Sequence, residues 1–325
     1  MNIRPFFALA EAERQAVFEF VTGAGASFPN LETMQQSMMG TWFDQGRNLL
    51  TLWAGGHSVI GTIGVITKDA QVRSEIFMTS LYVAPAHTPE GLPRLLQEAY
   101  GVAQSAAGVS PATVVRLGVR PETDYLQPHL VRAGFVVAYR VLEMTLPLTA
   151  PEAAPRCAAP VPPPGAVRFE PITAANVDDY VTVHNAAFLG SPNGAMTDAA
   201  EVGPELAAAD FPEQYQVGYV AGSPAVTLVI TVKDHTGNLD LLAVAPDFQG
   251  RGLGKVGLHR ALDTLWKHGV TEVRLQVVET NTRAVDLYVQ GGFTYDRTFA
   301  TWFSGPPLFR ERIRPSRPDR RPGRR

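Results

Sequence analysis

The sequence predicts a mixed α/β protein built as two tandem copies of one unit, each with a mixed sheet and helices on it. Three observations predict it. Short runs of alternating or continuous apolar residues, the signature of strands, interleave with longer stretches of helical period. The order of these runs repeats: Val65-Ile-Thr-Lys68-Asp69 resembles Val229-Ile-Thr-Val-Lys233-Asp234, and Leu81-Tyr-Val-Ala-Pro85 resembles Leu242-Ala-Val-Ala-Pro246. Arg116-Leu117 and Gly134-Phe135 precede Arg274-Leu275 and Gly292-Phe293 by the same 158 positions. Between the copies, Thr149 to Ala166 holds six prolines and six alanines with no apolar period, as a stiff solvated linker does. The expected divisions are 1–148, the linker 149–166, 167–309 and a basic tail 310–325.

In the first copy, Ile3 to Phe6 reads as a short strand. Ala10 to Val21 reads as a helix, with Ala16, Val17 and Phe20 on one side, and Leu31 to Phe43 as a second. Strand-like runs follow at Leu49 to Ala54, Val59 to Thr67 and Glu75 to Val83, the first two joined by a tight turn at Gly55-Gly56. A helix is expected over Glu90 to Ala107, a strand over Thr113 to Val119, a short helix ending at Ala133-Gly134, and a long strand over Phe135 to Leu146. In the second copy, Val167 to Pro171 is a strand and Ala174 to Ala187 a helix. A short helix falls around Val202 to Ala209. Strands follow at Tyr215 to Val220, Ala225 to Val232 and Leu239 to Val244, a helix reaches about His268, and Glu272 to Glu279 and Tyr295 to Phe303 are strands.

Composition bounds the function. The 325 residues are 45% hydrophobic and 18% charged with a net charge of -3, so no global field draws the chain to nucleic acid or membrane. No run of 18 apolar residues is present, and neither a spanning segment nor a signal peptide is expected. The single cysteine, Cys157, excludes an internal disulfide and fits a reducing compartment, so the expected location is cytoplasmic, as a monomer or homodimer. The histidines show no metal-ligand spacing, and no metal is expected. Arg310 to Arg325 carries eight arginines; a solvated tail is the expectation, with a nucleic-acid contact as the alternative.

The chemistry concentrates in Leu239 to Phe293. An apolar strand runs into Gln249-Gly250-Arg251-Gly252-Leu253-Gly254 at the start of a helix. Glycines let the backbone approach a ligand closely, consecutive N–H groups form an anion nest, and the helix dipole adds to it. Arg251 and Lys255 bring positive charge to the same point. Gly252-Leu253-Gly254-Lys255-Val256-Gly257 also satisfies the G-x-G-x-x-G of dinucleotide-binding folds, with Glu279 as the distal acid. Against that, six residues separate the strand from Arg251-Gly252, and hairpin strands precede the unit where parallel βαβ repeats belong.

Gln249-x-x-Gly252-x-Gly254, followed by Asn281-x-x-Ala284-x-x-Leu287-Tyr288-x-x-x-Gly292-Phe293, resembles the GNAT (Gcn5-related) N-acetyltransferases. The likeness covers Val167 to Phe303 well and the first copy weakly, and the layout resembles mycothiol-synthase-like double-GNAT proteins. It implies two tandem acyl-CoA N-acyltransferase folds, acetyl-CoA as co-substrate and a small-molecule amine as acceptor. It implies a cofactor-binding set of Leu242, Ala243, Val244, Gln249, Gly250, Arg251, Gly252, Leu253, Gly254, Lys255, Asn281, Ala284 and Tyr288. Tyr288 is then the acid that protonates the departing thiolate, and a backbone N–H near Val244 polarises the thioester carbonyl. Many relatives carry a glutamate where this chain has Asn238. Asp240, two residues on and on the same strand face, is the expected substitute base; a water chain and His235 are the alternatives. A non-catalytic acyl-CoA-binding module is the alternative function.

Aligned on Val83-Ala84-Pro85, the first copy sets Thr88-Pro89-Glu90-Gly91-Leu92-Pro93 against the loop Gln249 to Gly254. Two prolines remove N–H donors, and Glu90 stands where Arg251 does. Leu130 replaces Tyr288 and Thr123 replaces Asn281. The first copy is expected neither to catalyse nor to bind acetyl-CoA well, and to shape the acceptor cleft or stabilise the pair.

Overall fold

The computed structural model describes residues 1–68, 70–148, 167–192 and 194–309. The expected linker 149–166 and tail 310–325 lie outside them. One 12-stranded sheet organises the chain. The first copy supplies β1 (Asn2–Pro5), β2 (Leu49–Ala54), β3 (Ser58–Ile66), β4 (Glu75–Val83), β5 (Val114–Val119) and β6 (Val136–Pro147). The second supplies β7 (Arg168–Pro171), β8 (Tyr215–Val220), β9 (Ser223–Lys233), β10 (Thr236–Val244), β11 (Glu272–Val278) and β12 (Thr294–Ser304). The order is β1-β2-β3-β4-β5-β12-β6-β11-β10-β9-β8-β7. The last strands are therefore exchanged: β12 lies between β5 and β6, and β6 pairs with β11.

The first copy's helices are α1 (Glu11–Gly23), α2 (Leu31–Met38), α3 (Ala70–Arg73), α4 (Thr88–Ser105) and α5 (Gln127–Arg132). The second copy's are α6 (Val177–Phe188), α7 (Ala199–Ala207), α8 (Leu253–Lys267) and α9 (Thr282–Gln290). Helices α4 and α5 bury Leu95, Leu96 and Leu130 against Val115, Leu117 and Phe303. Helices α8 and α9 bury Leu258, Leu262 and Tyr288 against Met144, Leu275 and Val277 on the same face of the sheet. The opposite face carries α1 and α2 over Leu49 and Trp53, and α6 and α7 over Tyr215, Val217 and Val229. Between those two pairs the face is lined by Tyr139, Val141, Ala300 and Trp302.

Several elements follow from local chemistry. Asn30 caps α2 by accepting from the Thr33 amide at 2.8 Å, and Asp198 caps α7 through the Ala200 and Glu201 amides. The helix expected over Leu31 to Phe43 stops at Met38. Left-handed Asp44 and Gln45 (φ 47° and 53°) turn the chain after a short 3-10 turn over Thr41–Phe43. That turn lays Phe43 on Gly64, where any Cβ would meet the ring at 2.3 Å. Helix α6 starts at Val177, later than the expected Ala174, because Asn176 first closes a turn onto the Thr173 amide at 2.7 Å.

Among the described residues, only β4–β5 and β10–β11 pair in parallel. The consecutive parallel strands of a dinucleotide fold are absent among the described residues. In each copy the parallel pairing is short: Glu75 to Met78 with Val114 to Leu117, and Thr236 to Leu239 with Glu272 to Leu275. Beyond those positions the strands part and leave a wedge. Among the described residues no helix is long and apolar enough to cross a membrane.

Candidate active site

The wedge between β10 and β11 opens at a β-bulge. Leu239 pairs with Ile230 and Leu241 with Val229, so Asp240 is the extra residue. Asn238 and Asp240 lie on one face and converge on Thr231: Asn238 Nδ2 donates to Thr231 Oγ1 at 3.2 Å, and Thr231 also bonds the Asp240 carboxyl. This is the α6/α7 face, which Leu241 shares. Asp240 is exposed to the open wedge, yet the protein mass around it raises its carboxyl pKa, and the Thr231 bond pulls back only in part. The bulge then resets the strand, and Leu242 packs toward α8.

The bulge also aims backbone groups. The Ala245 amide donates to Ala225 at 2.9 Å across β9. In an antiparallel ladder alternate residues face alternate edges, so Leu242 and Val244 turn their N–H groups toward the wedge, and Ala243 faces β9. Gln249 Nε2 takes the Val244 carbonyl at 3.0 Å, and Gln249 Oε1 accepts from Arg283 at 2.8 Å. Gln249 therefore ties the end of β10 to the start of α9.

From there Gly250 and Gly252 adopt left-handed φ values of 78° and 80°. The amides of Gly250, Arg251, Gly252, Leu253 and Gly254 find no acceptor among the described residues. Five free N–H groups at the start of a 15-residue helix make an anion site. Leu253 anchors the loop in a cluster with Ala225 and Val226. A Cβ on Gly257 would come 2.6 Å from Leu242, so the third glycine of the G-x-G-x-x-G pattern seats the helix on the sheet. Arg251 donates to the Asp247 carbonyl at 2.7 Å and lies 5.2 Å from the Phe248 ring. Arg251 and Lys255 stand in or next to the loop, and Arg283 reaches it through Gln249, so three cations lie in its neighbourhood. Arg283 was not among the expected residues. It stands inside the Asn281–Tyr288 block, but its tie to Gln249 exists only once α9 folds back on the loop.

Asn281 is the N-cap of α9; its Oδ1 accepts the Ala284 amide at 3.2 Å. Two turns on, Tyr288 lies with its ring buried against Phe293, centroids 5.9 Å apart. Its hydroxyl makes no hydrogen bond among the described residues and is not sealed from solvent. Burial pushes the phenol up to about 12. The structure thus sets Tyr288 and the glycine loop on the α8/α9 side of the wedge and Asp240 on the other. His235 stands apart, at the opposite end of β10, where its carbonyl accepts the Thr271 amide at 2.8 Å. No group of three or more metal-ligating side chains occurs among the described residues.

The equivalent wedge of the first copy is filled. Helix α4 begins at Thr88, the position equivalent to Gln249, so helix replaces the loop. The Tyr125 hydroxyl donates to the carbonyl of Val83, the equivalent of Val244. Leu130 and Thr123 are buried in that copy.

Residues 187–293 match the acetyltransferase (GNAT) family model. The chain is 30% identical over 261 residues to a mycothiol acetyltransferase of Clavibacter sepedonicus, covering 80% of this chain and 81% of that protein. It is 30% identical over 234 residues to one from Propionibacterium freudenreichii subsp. shermanii, covering 69% and 70%. Among solved structures, a GCN5-related N-acetyltransferase from Sphaerobacter thermophilus superposes with a TM-score of 0.66 at 18% identity, over 93% of this chain and 94% of that one. A tandem GNAT protein from the clavulanic acid biosynthesis pathway superposes at 0.58 and 14% identity, over 94% and 98%.

Proposed function

Since the chain belongs to the GNAT acetyltransferase family and is an acyltransferase, we propose that it moves an acetyl group from acetyl-CoA to a primary amine of a small molecule, in the β10–β11 wedge of its second copy. The observation that carries this reading is the juxtaposition there. Five unpartnered amides and three cations lie at one mouth of the wedge, and a carboxylate with a raised pKa lies on the opposite face.

The residues fit the co-substrate. The amides of Gly250 to Gly254, with Arg251, Lys255 and Arg283, suit a pyrophosphate. The inward N–H groups of Leu242 and Val244 suit an amide-bearing arm and a thioester carbonyl. Bound acetyl-CoA supplies an activated acyl group. Asp240 takes a proton from the amine, directly or through water, and the neutral amine attacks. Tyr288, protonated at neutral pH, returns a proton to the leaving sulfur. Acceptor and donor enter from opposite faces, as direct transfer in a ternary complex requires.

The division of labour is part of the proposal: residues 167–309 carry the reaction and 1–148 form an eroded copy. Tyr125 and the early start of α4 support it. The relatives' name favours one particular acceptor, the deacetylated form of mycothiol. The test is thiol release from acetyl-CoA across a panel of amines that includes it. Tyr288→Phe keeps the ring that fills the core and removes the acid. Turnover is expected to fall about 100-fold or more with acetyl-CoA affinity kept. Unchanged turnover in Tyr288→Phe removes the acid from Tyr288, and binding without turnover on every amine removes the acceptor class.

A further inference from the structure

The two copies part at the turn between their third and fourth strands. In the second copy β9 passes to β10 through Asp234 and His235, with Asp234 left-handed at φ 55°. In the first, the connection from Ile66 to Glu75 is longer and carries α3. Two cations of that longer turn reach across to the second copy. Lys68 Nζ donates to the Met196 carbonyl at 3.0 Å and pairs with Glu201 in the first turn of α7. Its ammonium also lies 4.8 Å from the Trp42 ring. The Arg73 side chain is 3% exposed. It donates to the Phe188 carbonyl, at the end of α6, at 2.9 Å and to the Ser191 carbonyl. Glu75 steadies it at 3.1 Å.

What these cations hold is the wall on the Asp240 face of the second copy's wedge. Helix α6 packs on β9 and β10. Helix α7 buries Val202 and sets Leu206 in a cluster with Tyr215, Val229 and Leu241, the residue after Asp240. The Tyr215 hydroxyl donates to Glu205 Oε2 at 3.3 Å, one helical turn after Glu201. Burial first, then Glu205 and Asp240, push the Tyr215 phenol up, so the charge on Asp240 is felt where α7 is anchored. On the β11 side, Leu189 to Pro192 share the lining of a cavity of about 600 Å³ with Thr280, which precedes the α9 N-cap Asn281. The chain from α6 to α7 therefore lies beside both strands that flank the wedge. Inside the second copy α6 ties it back. His184 Nε2 donates to the Ala195 carbonyl at 2.9 Å, and Asn185 bonds the amide and carbonyl of Thr197 at 3.0 and 2.8 Å. Its entry and its exit are fixed from the first copy, by Arg73 and Lys68.

We propose that Lys68 and Arg73 are positioning residues for the acceptor: through the turn that departs from the repeat, the eroded copy holds the α6–α7 wall of the wedge in the shape the amine meets. The inference rests on the acetyltransferase reading above. Bonds from cations to carbonyls and carboxylates are the stronger kind, and these are partly buried, so salt screens them little. A wall ordered before the amine arrives spares binding the cost of ordering it. The donor side has no such dependence, because the glycine loop, α8 and α9 belong to the second copy and lie on the other face of the sheet. Loss of the ties therefore separates the two substrates.

The test uses the full chain, acetyl-CoA and the amine of the panel above that is turned over fastest. Lys68→Met keeps the apolar stem and removes the charge; Glu201→Gln breaks the same ion pair from the other side. Each is expected to raise KM for the amine about 10-fold. The double variant is expected to be no worse than the worse single, since the two residues act as one unit. Lys68→Arg is expected to restore the wild-type KM. Arg73→Lys keeps the charge but not the fork that spans Phe188 and Ser191, and is expected to raise the same KM. Acetyl-CoA affinity is expected to change less than about 2-fold in all of them, the loop being a separate site. Hydrogen exchange on the free chain is expected to quicken over 195–201 in Lys68→Met and Glu201→Gln and to stay unchanged over 249–254. Unchanged exchange, an unchanged amine KM, or an equal loss of acetyl-CoA affinity overturns the inference and leaves the acetyltransferase reading standing. An unchanged KM in Arg73→Lys alone overturns the assignment to Arg73. Should Lys68→Met not fold, Glu201→Gln decides by the same measurements. Absence of turnover with every amine overturns the acetyltransferase reading and this inference together.

Discussion

Asp240 is where the chemistry of a single residue is most exposed to test. Although its side chain is exposed, the protein mass around Asp240 disfavours the charged carboxylate, so its pKa stands above the ordinary 3.8. Between 3.8 and that raised value the folded chain holds a proton that the unfolded chain has released. Stability from this site therefore falls as pH rises through the window and stays lowered above it. Asp240→Asn is expected to raise the melting temperature at neutral pH, with the gain vanishing below about pH 4. The same substitution is expected to remove the rise of kcat/KM with pH that deprotonation of the base produces. A melting temperature unchanged at pH 7, or an intact acidic limb in the rate profile, counts against Asp240 as a strained base. The sequence located Asp240 through alternation from Asn238, and its side chain lies where alternation puts it. The bulge that follows was not legible. Plain alternation puts Leu242 on Asp240's face, whereas the extra residue turns Leu242 toward α8 and its N–H into the wedge. A bulge is decided by the pairing of two strands, and neither strand carries it alone.

At the scale of elements, α4 and α8 show where the two copies differ, and the proposed division of labour rests on that difference. Both follow a strand ending in Val-Ala-Pro and both pack on the sheet. Helix α8 waits until Leu253 to begin, because Gly250 and Gly252 hold left-handed conformations that keep five amides free. Helix α4 begins at Thr88, with Pro89 in its first turn and Pro93 further inside. The prolines and the loss of glycine were readable, since each acts through its own backbone. The stopper was not: Tyr125 meets Val83 only after α5's approach brings it back across 42 residues of chain. Titration calorimetry is expected to find one equivalent of acetyl-CoA per chain. Gly252→Ala forces a side chain into φ 80°, at a cost of about 1–2 kcal/mol, and misaims the amides. It is expected to weaken binding about 10-fold or more. Two equivalents per chain, or wild-type affinity in Gly252→Ala, contradicts this account of the loop.

For the whole molecule, the exchange of β6 and β12 makes the two copies one folding unit. In the second copy, β11 pairs from Glu272 to Val278 with β6, a strand of the first. In the first copy, β5 pairs from Arg116 to Val119 with β12, a strand of the second. Strand β12 also runs beside β6 from Thr294 to Ser304, and Phe303 is buried in the first copy's core. The repeat in the sequence conveyed two copies and their order. It could not convey the exchange, because β6 and β12 occupy equivalent places in the repeat and either partnership satisfies the local pattern. The choice belongs to contacts more than 140 residues apart, such as Arg297 with the buried Glu143 at 2.8 Å. A segment covering 167–309 alone lacks β6, so the free edge of β11 and the wall of the wedge it supports are bare. Bare edges of this kind template aggregation. The full chain is accordingly expected to unfold in one calorimetric transition. Segments 1–148 and 167–309 made separately are expected to aggregate or stay unfolded, and to recover acetyl-CoA binding only when refolded together. A monomeric 167–309 that binds acetyl-CoA with the affinity of the full chain shows instead that the second copy closes its own sheet, and that the exchange adds no stability to the site.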